Sequence, residues 1–144
     1  MRYTRHLGIS LGIILAAFVL ALPAHAAGWT LQSSGTSARL RDVYFINSTT
    51  GWAVGDAGTI LKTTDSGASW VAQGSNTILD LQGVDFIDAN IGWVVGRSGV
   101  LRKTINGGRD WTSERSGISA GLFAVDFIDG NTGWSVGGDI TSSV

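Results

Sequence analysis

The dipeptide Gly-Trp occurs three times at one spacing, as Gly51-Trp52, Gly92-Trp93 and Gly133-Trp134, with an interval of 41 residues. The same interval joins Val43, Val84 and Val125, then Phe45, Phe86 and Phe127, then Gly55, Gly96 and Gly137. Trp29, Trp70 and Trp111 keep it as well, so all six tryptophans fall into two columns. A fixed period of this length marks a chain built from copies of one supersecondary unit. The copies stack because none can bury its apolar faces alone.

One unit can be read between Leu40 and Gly74. Strand formers fill Leu40 to Ile46, Asn47 to Gly51 is a polar turn, and Trp52 to Gly55 is a second short strand. Asp56-Ala57-Gly58 turns the chain into a third strand, Thr59 to Thr63, and Thr64 to Ser69 turns it into a fourth, Trp70 to Gln73. Four short strands separated by turn residues make an antiparallel meander. No segment after Ala26 carries a helical apolar period. The expected fold is therefore all-β, built of antiparallel four-stranded blades of a β-propeller, since four strands in about 40 residues is the size of one blade. Equal repeat lengths argue against a sandwich, and the four-strand unit argues against a solenoid with one strand per turn. Blades packed face to face are expected to bury both sheet surfaces, which fits a mean hydropathy of +0.22. Each buried aromatic then stabilises by about 1.5–3 kcal/mol.

The first 26 residues read differently. Arg2, Arg5 and His6 precede an apolar run from Leu7 to Leu22, and Ala24 and Ala26 occupy A-x-A cleavage positions. The run is 16 residues, short of the about 20 that span a bilayer. Residues 1–26 are therefore read as a signal peptide, and 27–144 as a partial propeller exported to a periplasm, the extracellular space or a thylakoid lumen. Beyond Ala26 there remain eight Lys+Arg against eleven Asp+Glu, a mildly acidic balance that argues against a nucleic-acid partner. There is no cysteine, which excludes disulfides, thiol nucleophiles and cysteine metal sites.

The turn before each fourth strand carries a more specific pattern. Thr63, Asp65, Gly67 and Trp70 recur as Thr104, Asn106, Gly108 and Trp111. An Asx side chain closes such a turn by accepting backbone N–H groups ahead of it, glycine supplies positive φ, and the tryptophan anchors the turn on the sheet. The pattern resembles the Asp box of sialidase-type propellers and points to fold, not to activity. The whole stretch from Gly28 to Gly138, above all Val43 to Ile46 with Gly51 to Trp70, resembles the photosystem II stability and assembly factor propellers. That resemblance implies a non-enzymatic, protein-binding propeller without a cofactor. Its photosynthetic members work on the lumenal side of the membrane and bind the precursor of a reaction-centre subunit. It also implies a ring of about seven blades, more than this sequence supplies.

Repeats occupy about 40–80, 81–121 and 122–144, the last losing register after Gly138 and lacking both Asp box and second tryptophan. Residues 28–33 are expected to form a lone outer strand. About two and a half blades leave three readings open: a truncated product, several copies completing a ring as a homo-oligomer, or an open stack.

Catalytic groups are sparse. After Ala26 there is one tyrosine, Tyr44, and one glutamate, Glu114, and both histidines, His6 and His25, lie before it. A sialidase-like glycoside hydrolase would need a tyrosine nucleophile with a carboxylate pair, so an enzyme remnant stands only as the alternative to a binding module. The segments at Asp88 and Asp129 resemble the start of a calcium loop but lack its closing glutamate. They read as hairpin turns, and no metal site is expected. In a four-strand meander the fourth-to-first and second-to-third loops share a face. Here that face carries Arg39, Arg97 and Arg115, with Arg41 close by, and a protein partner is expected there if anywhere. The Asp boxes belong to the opposite face.

Overall fold

The computed structural model describes residues 28–138. The expected leader with Ala24 and Ala26, and the last residues from Asp139 on, lie outside them. The chain divides into two compact units, Met1–Thr30 and Leu31–Val144, and every described strand belongs to the second.

The described residues are all-β. The first sheet contains β1 (Leu40–Phe45), β2 (Gly51–Gly55), β3 (Ile60–Thr63) and β4 (Val71–Gln73), in that spatial order. The second contains β5 (Leu81–Phe86), β6 (Gly92–Gly96), β7 (Leu101–Thr104) and β8 (Thr112–Ser113), likewise in order. The third shows β9 (Gly121–Phe127) and β10 (Gly133–Gly138). Every pairing is antiparallel. These are propeller blades, the connectivity that two-residue alternation and frequent turn residues dictate.

The Gly-Trp column has two separate physical causes. The glycine is needed inside its own blade, because the phenylalanine ring from the neighbouring strand lies flat upon it. A Cβ at Gly51, Gly92 or Gly133 would fall 2.8, 2.4 or 2.4 Å from Phe45, Phe86 or Phe127. The tryptophan acts between blades. Trp52 lies parallel to Phe86 of the next blade at 3.6 Å between ring centroids, and Trp93 lies on Phe127 at 3.7 Å. The other tryptophan column serves the phenylalanine of its own blade edge-on: Trp70 meets Phe45 at 6.0 Å and Trp111 meets Phe86 at 5.9 Å. Aromatic pairs in such geometries add to the stabilisation from area burial alone.

Two expectations are corrected. Burial on both faces holds only in part: β2 and β6 are buried throughout and β5 nearly so, whereas β1, β9 and β10 keep exposed residues. Only the middle blade has a described neighbour on each side. Residues 28–33 form no strand. A fourth strand needs a third strand to pair with, and the third sheet is described only as far as its second.

The first strand of each blade carries a bulge at the same place. The register shifts between Leu40 and Asp42, between Leu81 and Gly83, and opposite Val136–Gly137. The extra residues are Arg41, Gln82 and Phe123, themselves one repeat apart. A bulge bends its strand and re-aims the side chain it carries.

A candidate protein-binding groove

The three bulged residues come together. Arg41, Gln82 and Phe123 line one groove of about 360 Å³, with Arg97, Ser98, Ser119, Gly121 and Gly138. It lies on the face formed by the β2–β3, β4–β5 and β6–β7 connections. Two of those connections are sterically confined. The turn Asp56–Gly58 and its counterpart Arg97–Gly99 each hold a non-glycine residue at positive φ, Ala57 and Ser98, both at 54°. The glycine that follows admits no side chain: a Cβ at Gly58 would fall 2.0 Å from the Thr77 carbonyl, and one at Gly99 would fall 1.9 Å from that of Ile118.

Asp80 organises the charge in this groove. Its Oδ1 accepts the Ala57 N–H at 3.0 Å, its Oδ2 lies 3.2 Å from Arg97 Nε and 3.8 Å from Arg41, and its carbonyl accepts the Arg97 N–H at 2.9 Å. Arg41 donates from Nε to Asp56. One carboxylate thus ties the second-to-third-strand turn of one blade to that of the next. Arg41 is held by two acids with its side chain 23% exposed, while Arg97 keeps 62% of its side chain in solvent. A guanidinium so placed can offer its remaining donors to an incoming carboxylate.

Of the four arginines assigned to this face by the sequence, the structure brings Arg41 and Arg97 together. Arg115 is exposed and lines a separate cleft with Ser116 and Ile118. Arg39 is exposed, and its carbonyl accepts the Asp56 N–H at 3.0 Å. Sequence reasoning missed Asp80, Gln82 and Phe123. For the latter two a signal exists, since they share a column with Arg41. Asp80 has none, because its column holds Arg39 and Gly121.

The opposite face is made of closed turns. Thr63 Oγ1 donates to Asp65 at 2.7 Å and accepts the Gly67 N–H at 2.9 Å, and Asp65 accepts the Ser69 N–H at 2.9 Å and its hydroxyl at 2.5 Å. These bonds, the Ser69 hydroxyl first, hold the Asp65 carboxyl down at about 2. In the second turn Thr104 repeats the threonine contacts with Asn106 and Gly108. There the chemistry is exchanged: Asn106 donates its amide to Asp110 at 2.8 Å, where Asp65 accepts from Ser69. Trp70 and Trp111 follow these turns directly. Asp88 and Asp129, with Asn47 in their column, each accept two backbone N–H groups at 2.7–2.9 Å within their hairpins. That geometry consumes the oxygen as a turn device.

Tyr44 is half-buried on β1, 6.4 Å from Phe86. Burial, and then the carboxylates of Asp85 and Asp126, push its phenol above the ordinary range, opposite to what a nucleophile needs. Glu114 is exposed just after β8. Among the described residues no three acidic or histidine side chains converge as metal ligands.

Among the solved structures that share the fold are two described as YCF48. One is described as YCF48 bound to D1 peptide, at 23% identity with a TM-score of 0.63, covering 74% of this chain. The other is YCF48 from Cyanidioschyzon merolae, at 22% identity with a TM-score of 0.66, covering 77%. The chain spans 35% and 38% of their respective lengths. No curated protein matches the sequence. The family model for photosynthesis system II assembly factor YCF48 matches residues 22–123, and with well over half of its length so matched, the chain belongs to that family.

Proposed function

We propose that this chain is a non-enzymatic binding module, exported behind a leader at residues 1–26, whose groove takes an extended, carboxylate-bearing segment of another protein. The observation that carries this reading is the bulge ladder. Three blades deliver Arg41, Gln82 and Phe123 to one groove at the repeat interval, with Arg97 exposed at the rim. A cation, an amide and an aromatic ring offer a carboxylate, a peptide group and an apolar side chain one partner each. Asp80 and Asp56 fix the arginines in place before a ligand arrives, which reduces the ordering cost of binding. A similar solved structure is described as holding a D1 peptide, so that peptide is the first probe to use. The repeats at about 40–80, 81–121 and 122–144 serve as the scaffold, and the Asp-box-like turns at Thr63–Trp70 and Thr104–Trp111 as its fasteners.

The test is fluorescence anisotropy of a labelled D1 peptide titrated with the purified chain, at two salt concentrations. Binding should weaken as salt rises. Arg97→Ala should weaken it about tenfold or more, because a hydrogen bond to a charged group contributes about 1.5–3 kcal/mol. Affinity unchanged by Arg97→Ala, or no binding at all, would sink the proposal. The glycoside hydrolase alternative is opposed by the raised Tyr44 phenol, and turnover of a fluorogenic sialoside would revive it.

A further inference from the structure

The two Asp-box-like turns differ at two linked positions. The first pairs Asp65 with Ser69, and the second, one repeat on, pairs Asn106 with Asp110. In the first, the carboxylate accepts both the N–H and the hydroxyl of Ser69. In the second the roles are divided: Asn106 Oδ1 accepts the Asp110 N–H at 3.0 Å, while its amide donates to the Asp110 carboxylate at 2.8 Å. Only a side chain with both an acceptor and a donor can make this pair of bonds. A carboxylate at position 106 would face the Asp110 carboxylate with no proton between them.

The residue that follows Asn106 is Gly107, whereas Asn47, Asn76, Asn90 and Asn131 precede Ser48, Thr77, Ile91 and Thr132. Glycine has no Cβ, so its backbone nitrogen is open to the side chain before it. The folded turn engages both of these groups. The Gly107 N–H donates to the Asn90 carbonyl at 2.8 Å, and Asn106 Oδ1 also accepts the Thr104 hydroxyl at 3.1 Å. Gly107 is buried at a φ of 72°, and its carbonyl ties the turn to the first blade. That carbonyl accepts the Trp52 indole N–H at 3.3 Å and the Lys62 ammonium at 3.0 Å.

We propose that Asn106-Gly107 is a deamidation site gated by opening of its own turn, and that its conversion loosens the second blade's hold on the first. The Gly107 nitrogen, on giving up its proton, attacks Cγ of Asn106. A new N–Cγ bond forms, the Cγ–Nδ2 bond breaks, and Nδ2 leaves as ammonia carrying that proton. Water then opens the cyclic imide at one carbonyl or the other, leaving aspartate or isoaspartate. The attack requires Gly107 to leave Asn90 and the Asn106 amide to leave Asp110, so the intact turn suppresses it. Either product sets a carboxylate against Asp110, and isoaspartate also reroutes the main chain at the glycine that holds Trp52 and Lys62. The first turn is exempt, because Asp65 has no amide to lose. This inference stands independently of the peptide groove.

Peptide mapping by mass spectrometry of the full chain, incubated at mildly alkaline pH with and without urea, provides the test. In urea, Asn106 should convert faster than the other four asparagines. In the folded chain its conversion should be slower by about tenfold or more, the protection expected of a turn that opens only transiently. Asn106→Asp should lower the urea midpoint and speed hydrogen exchange at Gly107 and Gly108. Adding Asp110→Ser, which rebuilds the first turn's acid and hydroxyl pair, should restore both. Should the single variant fail to fold, the double variant must still fold. Conversion at Asn106 no faster than at the other asparagines in urea, or equal rates folded and unfolded, would overturn the gated site. An Asn106→Asp chain with wild-type exchange, or one that Asp110→Ser does not rescue, would overturn its effect on the junction.

Discussion

Trp52 and Trp134 are the same residue of the same repeat, yet one is fully buried and the other is 59% exposed. The strands that carry them share one local signal: both place Gly-Trp on a second strand, with a phenylalanine ring on the glycine. What differs is the neighbour. Trp52 has Phe86 beneath it, Lys62 with its Nζ 5.0 Å from the ring centroid, and the Gly107 carbonyl to accept its N–H at 3.3 Å. All three arrive from outside the Gly-Trp strand, two of them from the next blade. The repeat therefore encodes a half-interface, and burial is a property of the stack. The comparison also explains the range of environments among the three phenylalanines: Phe86 is buried, Phe127 half-buried and Phe45 exposed.

Truncating those rings tests the comparison most severely. Phe86→Ala should cost about 3–5 kcal/mol, the usual loss for a large aromatic in a core, measured by urea denaturation. Phe45→Ala should cost far less in the monomeric state. Equal losses would show that the repeat position, and not the stacked neighbour, determines stability. Next in size is Gly99→Ala. It places a methyl against the Ile118 carbonyl at a φ of 69°, and should lower stability by about 1–3 kcal/mol. A neutral result would mean that the β6–β7 turn relaxes freely, and the groove would lose its sterically confined rim. Thr104→Val removes the buried hydroxyl that accepts the Gly108 N–H. Leaving that donor unpaired should cost about 1–2 kcal/mol, and Thr63→Val in the equivalent turn should match it.

The smallest effect sharpens the comparison between those two turns. The Asp65 carboxyl titrates at about 2 in the folded chain against an ordinary 3.8. A depressed acid contributes stability that is fully present above the unfolded value and is lost as pH falls through the folded one. Wild-type denaturation midpoints should therefore drop between about pH 4 and pH 2. Asp65→Asn should flatten that part of the drop by a modest amount, since the group is exposed and screened. An unchanged profile would mean that the Ser69 contacts do not persist in solution.

Much of the fold was legible because a blade is a local object. Four strands, their hairpins and the threonine-Asx-glycine turns lie within about 40 consecutive residues, so alternation, turn chemistry and a constant interval expose them in one dimension. The Gly-Trp column is of this kind. The groove was only half legible. Arg41 and Arg97 could be assigned to one face from strand order, but their pairing through Asp80 could not, because it depends on how two adjacent blades set their loops side by side. The bulges that turn Arg41, Gln82 and Phe123 into a common groove were likewise hidden, since one extra residue in a strand leaves the repeat length unchanged. The outer strand expected at 28–33 rested on the match of Trp29 to Gln32 with Trp70 to Gln73, and strand formation requires a partner edge that a sequence match cannot supply. The sequence by itself thus determined the blade, whose hydrogen bonds close within a single repeat. Only the tertiary structure decided which blade faces are covered and which side chains meet, because those contacts join residues of different repeats, as in the Trp52–Phe86 and Trp93–Phe127 stacks, through packing that no local pattern records.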